Sequence, residues 1–380
     1  MAIAKLEVEK AVERCYFDHN ATSPVAPAVI DAMLPVLRDG FGNASSIHQP
    51  GQQAKQVLEK ARRQVASFLG CSPKEIVFTS GGTESDNLAI LGVAGPGAHV
   101  VTTAMEHPAV LAACRDFDAT YLRGDSRGRV SVDELRAALR PDTALVSVMH
   151  ANNETGVVQD IAALGAVARA AGVPFHSDGV QGAGRIPVDL SQVDLYSISG
   201  HKLNAPKGIG ALYVRQGVTL QARQVGGRHE QGRRAGTENV PGAVALGAAA
   251  AMARDWAGLA ALTQRLEAGI LARVPDAVVN GAGAVRVPNT TNIRFAGIEG
   301  EAMVIALDLR GFAVSSGAAC SSGAVEPSHV LLALGLTREE AKSSIRFSLG
   351  LGNTEAQVDA LIDAVAASAA HLRRLSPVYA

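Results

Sequence analysis

Between residues 76 and 214, short apolar runs alternate with stretches of helical period, and this alternation constrains the fold more than any other feature. IVFT (76–79), HVVTTA (99–104), ALVSVMH (144–150), VPFHSD (173–178), DLYSIS (194–199) and GALYVR (210–215) read as strands, while residues 132–139 and 160–171 carry Ala and Leu at helical spacing. Such alternation predicts an α/β fold with a mainly parallel sheet and helices on both faces. GALYVR follows DLYSIS by a loop with no room for a helix, so it is expected to add an antiparallel strand. The pattern changes near Arg254. A long helix over 240–272, then strands around 292–295, 314–316 and 344–348 with helices between, predict a smaller α+β C-terminal domain. The expected division is an N-terminal segment (1–14) packing on the small domain, a large domain (15–255) and a small one (256–380).

A chain of 380 residues exceeds the usual size of one domain. Apolar residues make up 47% and aromatics only 4%, so the core must be built from Ala, Val, Leu and Ile. With 35 basic against 36 acidic residues there is no nucleic-acid footprint and no polybasic membrane anchor. The first residues (MAIAKLEVEKAVER) lack the continuous apolar core of a secretory signal. The most apolar stretch, GAVALGAAAAMA (242–253), is too short to cross a bilayer and reads as a buried helix. Four cysteines (15, 71, 114, 320) show neither paired nor metal-ligand spacing, which fits a reducing, cytoplasmic compartment and no metal.

Ligands of open α/β sheets collect where strands end, and the polar residues gather there: His107, Asn153, Asp178, Lys202 and the turn 80–83. Lys202 follows Ser-Gly-His in SISGHKLNAPKGIG (197–210). An ordinary lysine is a solvated charge, but one desolvated in a pocket becomes a Schiff-base nucleophile. Asp178 is either a structural hydrogen-bonder or the partner of a cofactor cation, as pyridoxal phosphate (PLP) needs at its ring nitrogen; Gln181 would then reach the ring oxygen. In TSGGTESDNLAI (79–90) the N–H groups of Gly82 and Thr83 form an anion site at a helix start, although Thr83 and Asp86 also fit a capping box. Cys320 stands in VSSGAACSSGAVEPSH (314–329), a small-residue run suited to an accessible thiol. Arg346, in SSIRFSLG (343–350), offers either a structural ion pair or a planar fork for a carboxylate.

Taken in order, EHPAV, NNETG, SDGVQ, SGHK, SSGAACSSG and SSIRFSLG, with YFDHNATSPV (16–25) and FGNASSIH (41–48), resemble the cysteine desulfurases among fold-type I PLP enzymes, in the branch serving iron–sulfur assembly and nitrogenase maturation. The resemblance runs from about Tyr16 to the end and implies a seven-stranded, mostly parallel sheet in the large domain. It also implies that Lys202 carries PLP covalently, Asp178 pairs with the ring nitrogen, Gln181 with the ring oxygen, and His107 stacks on the ring. Gly82, Thr83, Ser199 and His201 hold the phosphate. Thr237, in RRAGTEN (233–239), reaches the phosphate of a neighbouring subunit, which implies a homodimer. Asn153 and Arg346 bind the substrate carboxylate. Sulfur then passes from L-cysteine to Cys320, with Lys202 as base and His107 moving protons, and on to a protein acceptor.

Three departures stand out: Gly179 where the family has Ala, Asn204–Ala205 in place of an aromatic–Gly pair, and a C-terminus (LSPVYA) close behind the last helix. Selenocysteine lyase is the alternative activity. An aminotransferase would leave Cys320 without a role, and a non-catalytic sulfur-transfer scaffold would not need Lys202 and Cys320 together.

Overall fold

The computed structural model describes residues 14–252, 256–316 and 326–375. From its start the chain runs through β1 (Cys15–Tyr16), α1 (Pro27–Asp39) and α2 (Gln49–Leu69). It then alternates through β2 (Ile76–Thr79), α3 (Gly82–Val93), β3 (His99–Thr103), α4 (Pro108–Ala113), β4 (Asp118–Leu122), α5 (Val132–Ala138), β5 (Thr143–Ser147) and α6 (Ile161–Ala170). Next come β6 (Phe175–Asp178), β7 (Leu195–Ser199), β8 (Gly210–Val214) and α7 (Val240–Ala251). The remainder is α8 (Trp256–Arg273), β9 (Ala277–Val279), β10 (Thr290–Phe295), α9 (Gly300–Asp308), β11 (Phe312–Ala313), α10 (His329–Ala333), α11 (Arg338–Lys342), β12 (Ser344–Ser348) and α12 (Glu355–Leu375).

Seven strands form one sheet in the order β2-β8-β7-β6-β5-β3-β4, and only β8 runs against its neighbours. Strand residues alternate between two cores. Val101, Val146 and Tyr196 pack on one face, under α1, α2 and α7; Val100, Leu145 and Leu195 pack on the other, under α3 and α4. Both faces are therefore dry, which is why the strands read as apolar runs. The antiparallel β8 expected from the short loop is present, paired to β7 in register Leu195↔Val214 through Ser199↔Gly210.

A three-stranded antiparallel sheet, β12-β10-β9, forms a separate core with α8, α9 and α12. Phe17 belongs to this core, and β1 pairs with β11 in parallel. Expectation and structure part in three places. The helix expected over 240–272 is two helices: Met252, after α7, takes an extended conformation (ψ 134°). Edge strands β4 and β9, and the two-residue β1, were not anticipated. The strand expected over 314–316 is only an isolated bridge, Ser315 to Arg346, beyond the two-residue β11.

Candidate active site

Every strand of the large sheet except β8 points its C-terminal end to one edge, and there a cavity of about 430 Å³ opens. Its wall includes Gly82, Thr83, His107, Asn153, Asp178, Gln181, Ser199, His201, Lys202 and Arg346. Ten of the twelve residues singled out from sequence thus meet in one place. Thr237 is exposed and does not line this cavity. Cys320 lies outside the described residues, although Ser315, just before it in sequence, is on the wall.

At the start of α3 the N-cap is Gly81, with φ 156° and no side-chain cap. The capping-box alternative for Thr83 and Asp86 is therefore not realised: Thr83 is inside the helix and Asp86 is buried. A Cβ on Gly82 would stand 2.8 Å from Val180 Cγ2, so the backbone comes against the β6 loop as only glycine allows. First-turn N–H groups with no side chain over them, beside Ser199 and His201, form an anion cradle. Glu84, also in that turn, is neutralised by Arg234 at 2.8 Å.

Lys202 Nζ donates to the carbonyls of Asn20 and, at 2.6 Å, Ala21. Burial lowers its pKa to about 7, helped by the positive charges of Arg185 and Arg346. A lysine so placed is substantially neutral near pH 7 and nucleophilic. Asp178 ends β6 with Oδ1 accepting from the Val180 N–H at 2.9 Å, and burial raises its pKa. Behind it Asp86 is raised well above the carboxylate range, first by burial and then by the charge on Asp178; its Oδ1 has no hydrogen-bond partner among the described residues. Two buried carboxylates held this way call for a cation on the pocket side.

His107 Nδ1 accepts from the Ala109 N–H at 3.1 Å, which leaves the neutral ring's proton on Nε2. Burial lowers its pKa. Arg346 donates from Nη2 to Asp18 (2.6 Å) and from Nη1 to the Asn153 carbonyl (3.0 Å), while its buried Nε has no hydrogen-bond partner among the described residues.

Sequence reasoning missed the supports of this wall. Glu106, wholly buried and pushed up to about 8 by burial, accepts from the Met149 N–H and from Thr103. Ser328 donates to buried Glu154 at 2.5 Å, and His329 Nε2 donates to the Glu106 carbonyl at 2.8 Å, so the loops bearing His107 and Asn153 are clasped by one pair of residues. The available signal was adjacency, and it reaches only Glu106, beside His107, and Glu154, beside Asn153; Ser328 and His329 lie beside no chosen residue.

Two of the sequence departures are explained. A Cβ at residue 179 would overlap the ring of Tyr196, whose hydroxyl meets His150 Nδ1 at 2.7 Å; the space of the family's alanine is filled from beneath, not left loose. Asn204 sits at φ 64°, where asparagine is tolerated, and its Nδ2 donates to the Pro24 carbonyl at 3.0 Å; Ala205 is fully buried behind it.

An anion cradle, a lysine whose pKa is lowered to about 7 and a buried carboxylate around one cavity fit pyridoxal phosphate, and the architecture is that of a fold-type I PLP enzyme. Residues 15–361 match the family model Aminotransferase class-V. A cysteine desulfurase of Gluconacetobacter diazotrophicus is 49% identical over 96% of this chain and 95% of that protein. Among solved structures, a NifS-like protein superposes with a TM-score of 0.87 at 35% identity, covering 94% of this chain and all of that one (100%). "SspA in complex with cysteine" superposes at 0.80 with 36% identity, covering 88% and 98%. The chain belongs to the PLP-dependent class-V aminotransferase family, and within it to the cysteine desulfurases.

Proposed function

We propose that this chain takes the sulfur of L-cysteine onto the thiol of Cys320 and releases L-alanine. The observation that carries the reading is Lys202, its pKa lowered to about 7, on the wall of a cavity that also holds Asp178 and the α3 cradle. PLP, when bound, supplies an electron sink for the charge left at the substrate's Cα. Gly82, Thr83, Ser199 and His201 would hold its phosphate, Asp178 its ring nitrogen and Gln181 its ring oxygen, with His107 against the ring face and Lys202 as the covalent anchor.

Arg346 and Asn153 receive the substrate carboxylate; Asp18 and the Asn153 carbonyl already orient the fork of Arg346. Lys202 removes the proton from Cα, and His107, protonated at Nε2 when neutral, returns or removes protons on the other side. The Cys320 thiolate attacks the substrate's sulfur, so one S–S bond forms as the C–S bond breaks. The carbon left behind takes up a proton and departs in alanine. Atoms balance without an added oxidant, and the persulfide passes its outer sulfur to a protein acceptor in the assembly of iron–sulfur or other sulfur cofactors.

The working unit is a homodimer in which Thr237 enters the partner's phosphate site. Two features support this: Thr237 is exposed and off its own cavity, and Ile30, Leu34 and Leu37 make an exposed apolar stripe on α1 that continues to Phe41 (88% exposed) and Ile47 (93%). The domains divide at about residue 255, between α7 and α8. The thiols of Cys15, Cys71 and Cys114 suit a reducing cytoplasm, and no helix among the described residues is long and apolar enough to cross a membrane. The test is to incubate the PLP-loaded protein with L-cysteine and measure alanine, with sulfide under reductant, beside Cys320→Ala and Lys202→Ala. Alanine formation lost in both variants is expected; no alanine from a yellow wild type would overturn the reading and turn attention to selenocysteine.

A further inference from the structure

Arg185 stands behind the pocket wall, four residues beyond Gln181, and is only 5% exposed. Its Nη1 donates to the Gln181 carbonyl at 3.1 Å and to Gln181 Oε1. A guanidinium only donates, so whatever meets it on the carboxamide must be the oxygen. That settles which way the amide faces: Nε2 points to the other side, where it donates to the Asn20 carbonyl at 3.0 Å. The same carbonyl accepts from Lys202 Nζ, so the Gln181 amide and the Lys202 amine meet on one acceptor at the cavity wall.

We propose that Arg185 is a positioning residue that locks the Gln181 carboxamide with its N–H donors toward the cofactor and sets a fixed positive field across Lys202. The inference rests on the reading of this cavity as a PLP site. The field is felt by Lys202, His201 and His19, each of which Arg185 makes less basic. Lys202 also faces Arg346, which adds to that field, and Asp18 and Asp178, which oppose it. Across the cavity His107 is made more basic by Asp178 and less basic by Lys202 and His329, and Lys207 acts on His201 from the same loop. A buried guanidinium keeps its charge across the working pH range, unlike a histidine, so this influence on the lysine nitrogen does not vanish as pH falls. A neutral oxygen acceptor at the same place would orient Gln181 the wrong way round and leave its own carbonyl against the cofactor's ring oxygen.

Two variants of the holoenzyme separate the two effects. Arg185→Gln removes the charge and keeps a donor; Arg185→Lys keeps the charge but ends short of the Nη1 position, and so loses the hold on Gln181. The visible absorbance band of the PLP–lysine chromophore is titrated with pH, and cofactor release is timed after dilution. Arg185→Gln is expected to raise the band's midpoint by about one pH unit, the size of a nearby-charge effect, with Arg185→Lys staying close to wild type. Arg185→Lys is expected to speed cofactor release by about tenfold, as a lost charge-assisted hydrogen bond would, and to add little in a Gln181→Ala background. A midpoint unchanged in Arg185→Gln, or wild-type cofactor release in Arg185→Lys, overturns the inference while leaving the PLP reading intact. A wild type that develops no visible band with PLP overturns both.

Discussion

Two groups of buried charges cross the interior, and the protein treats them in opposite ways. Arg62, on α2, meets Glu230 fork to fork at 2.7 and 2.8 Å. Glu230 also accepts from the Phe78 N–H at 3.0 Å, and Arg62 donates to the Ile76 carbonyl at 2.9 Å. Each charge finds its complement within the chain, and the pair ties β2 to the loop that carries Thr237. Glu230 and Gln231 take left-handed backbone conformations (φ 46° and 58°) to make that tie. At the strand ends Asp86 and Asp178 are buried, Lys202 is half-buried and His107 opens onto the cavity, and their protonation is displaced: the carboxylates upward, the bases downward. Paired burial is architecture. Displaced burial marks a place completed by something the chain does not itself supply.

The comparison can be broken from either side. The largest effect is expected at the displaced set: Lys202→Ala should cut alanine formation from L-cysteine by about 10²–10⁴-fold or more while the melting temperature of the apoprotein holds or rises, since a buried amine has been removed. At the paired set the loss should fall on stability. Glu230→Gln leaves the buried Arg62 only the partly exposed Glu59 as counter-charge and is expected to cost about 3–5 kcal/mol in urea unfolding, the usual cost of breaking a buried pair. If Glu230→Gln unfolds like wild type, the pair is not architecture and the contrast fails.

Gly179→Ala probes the packing between the two sets. Its new Cβ meets the Tyr196 ring, so a loss of about 1–3 kcal/mol is expected, relieved by Tyr196→Leu but not by Tyr196→Phe, which keeps the clashing ring carbons. The smallest effect concerns pH. Cofactor uptake needs the neutral amine of Lys202, and a pKa of about 7 makes that form more abundant as pH rises through neutrality. The rate at which apoprotein and PLP develop the visible band should therefore grow about tenfold from pH 6 to 8 and level off above, where an unperturbed lysine would keep accelerating.

Most of the large sheet was legible because both its faces are buried, which turns each strand into an apolar run followed at once by its functional residue. Edge strand β4 (DATYL) was not, because Asp118 and Tyr121 face solvent and interrupt the pattern. The break after α7 left no trace in an Ala-rich run that contains neither Gly nor Pro at Met252. The residues lining the cavity were readable one motif at a time. Their supports were not, since Arg62 and Glu230 lie 168 positions apart and Glu154 and Ser328 lie 174 apart. Gly179 shows the limit from the other side: the local departure was visible, but its cause, the ring of Tyr196, belongs to the neighbouring strand.

The central claim is that the displaced charges serve a single transfer ending on Cys320. Its most direct test is mass spectrometry of the PLP-loaded protein after a brief exposure to L-cysteine without reductant, with alanine counted in the same sample. One added sulfur on the peptide containing Cys320, matched mole for mole by alanine and absent from Lys202→Ala, is the predicted result. Alanine produced with no sulfur on Cys320, or sulfur carried instead by Cys15, Cys71 or Cys114, would contradict it.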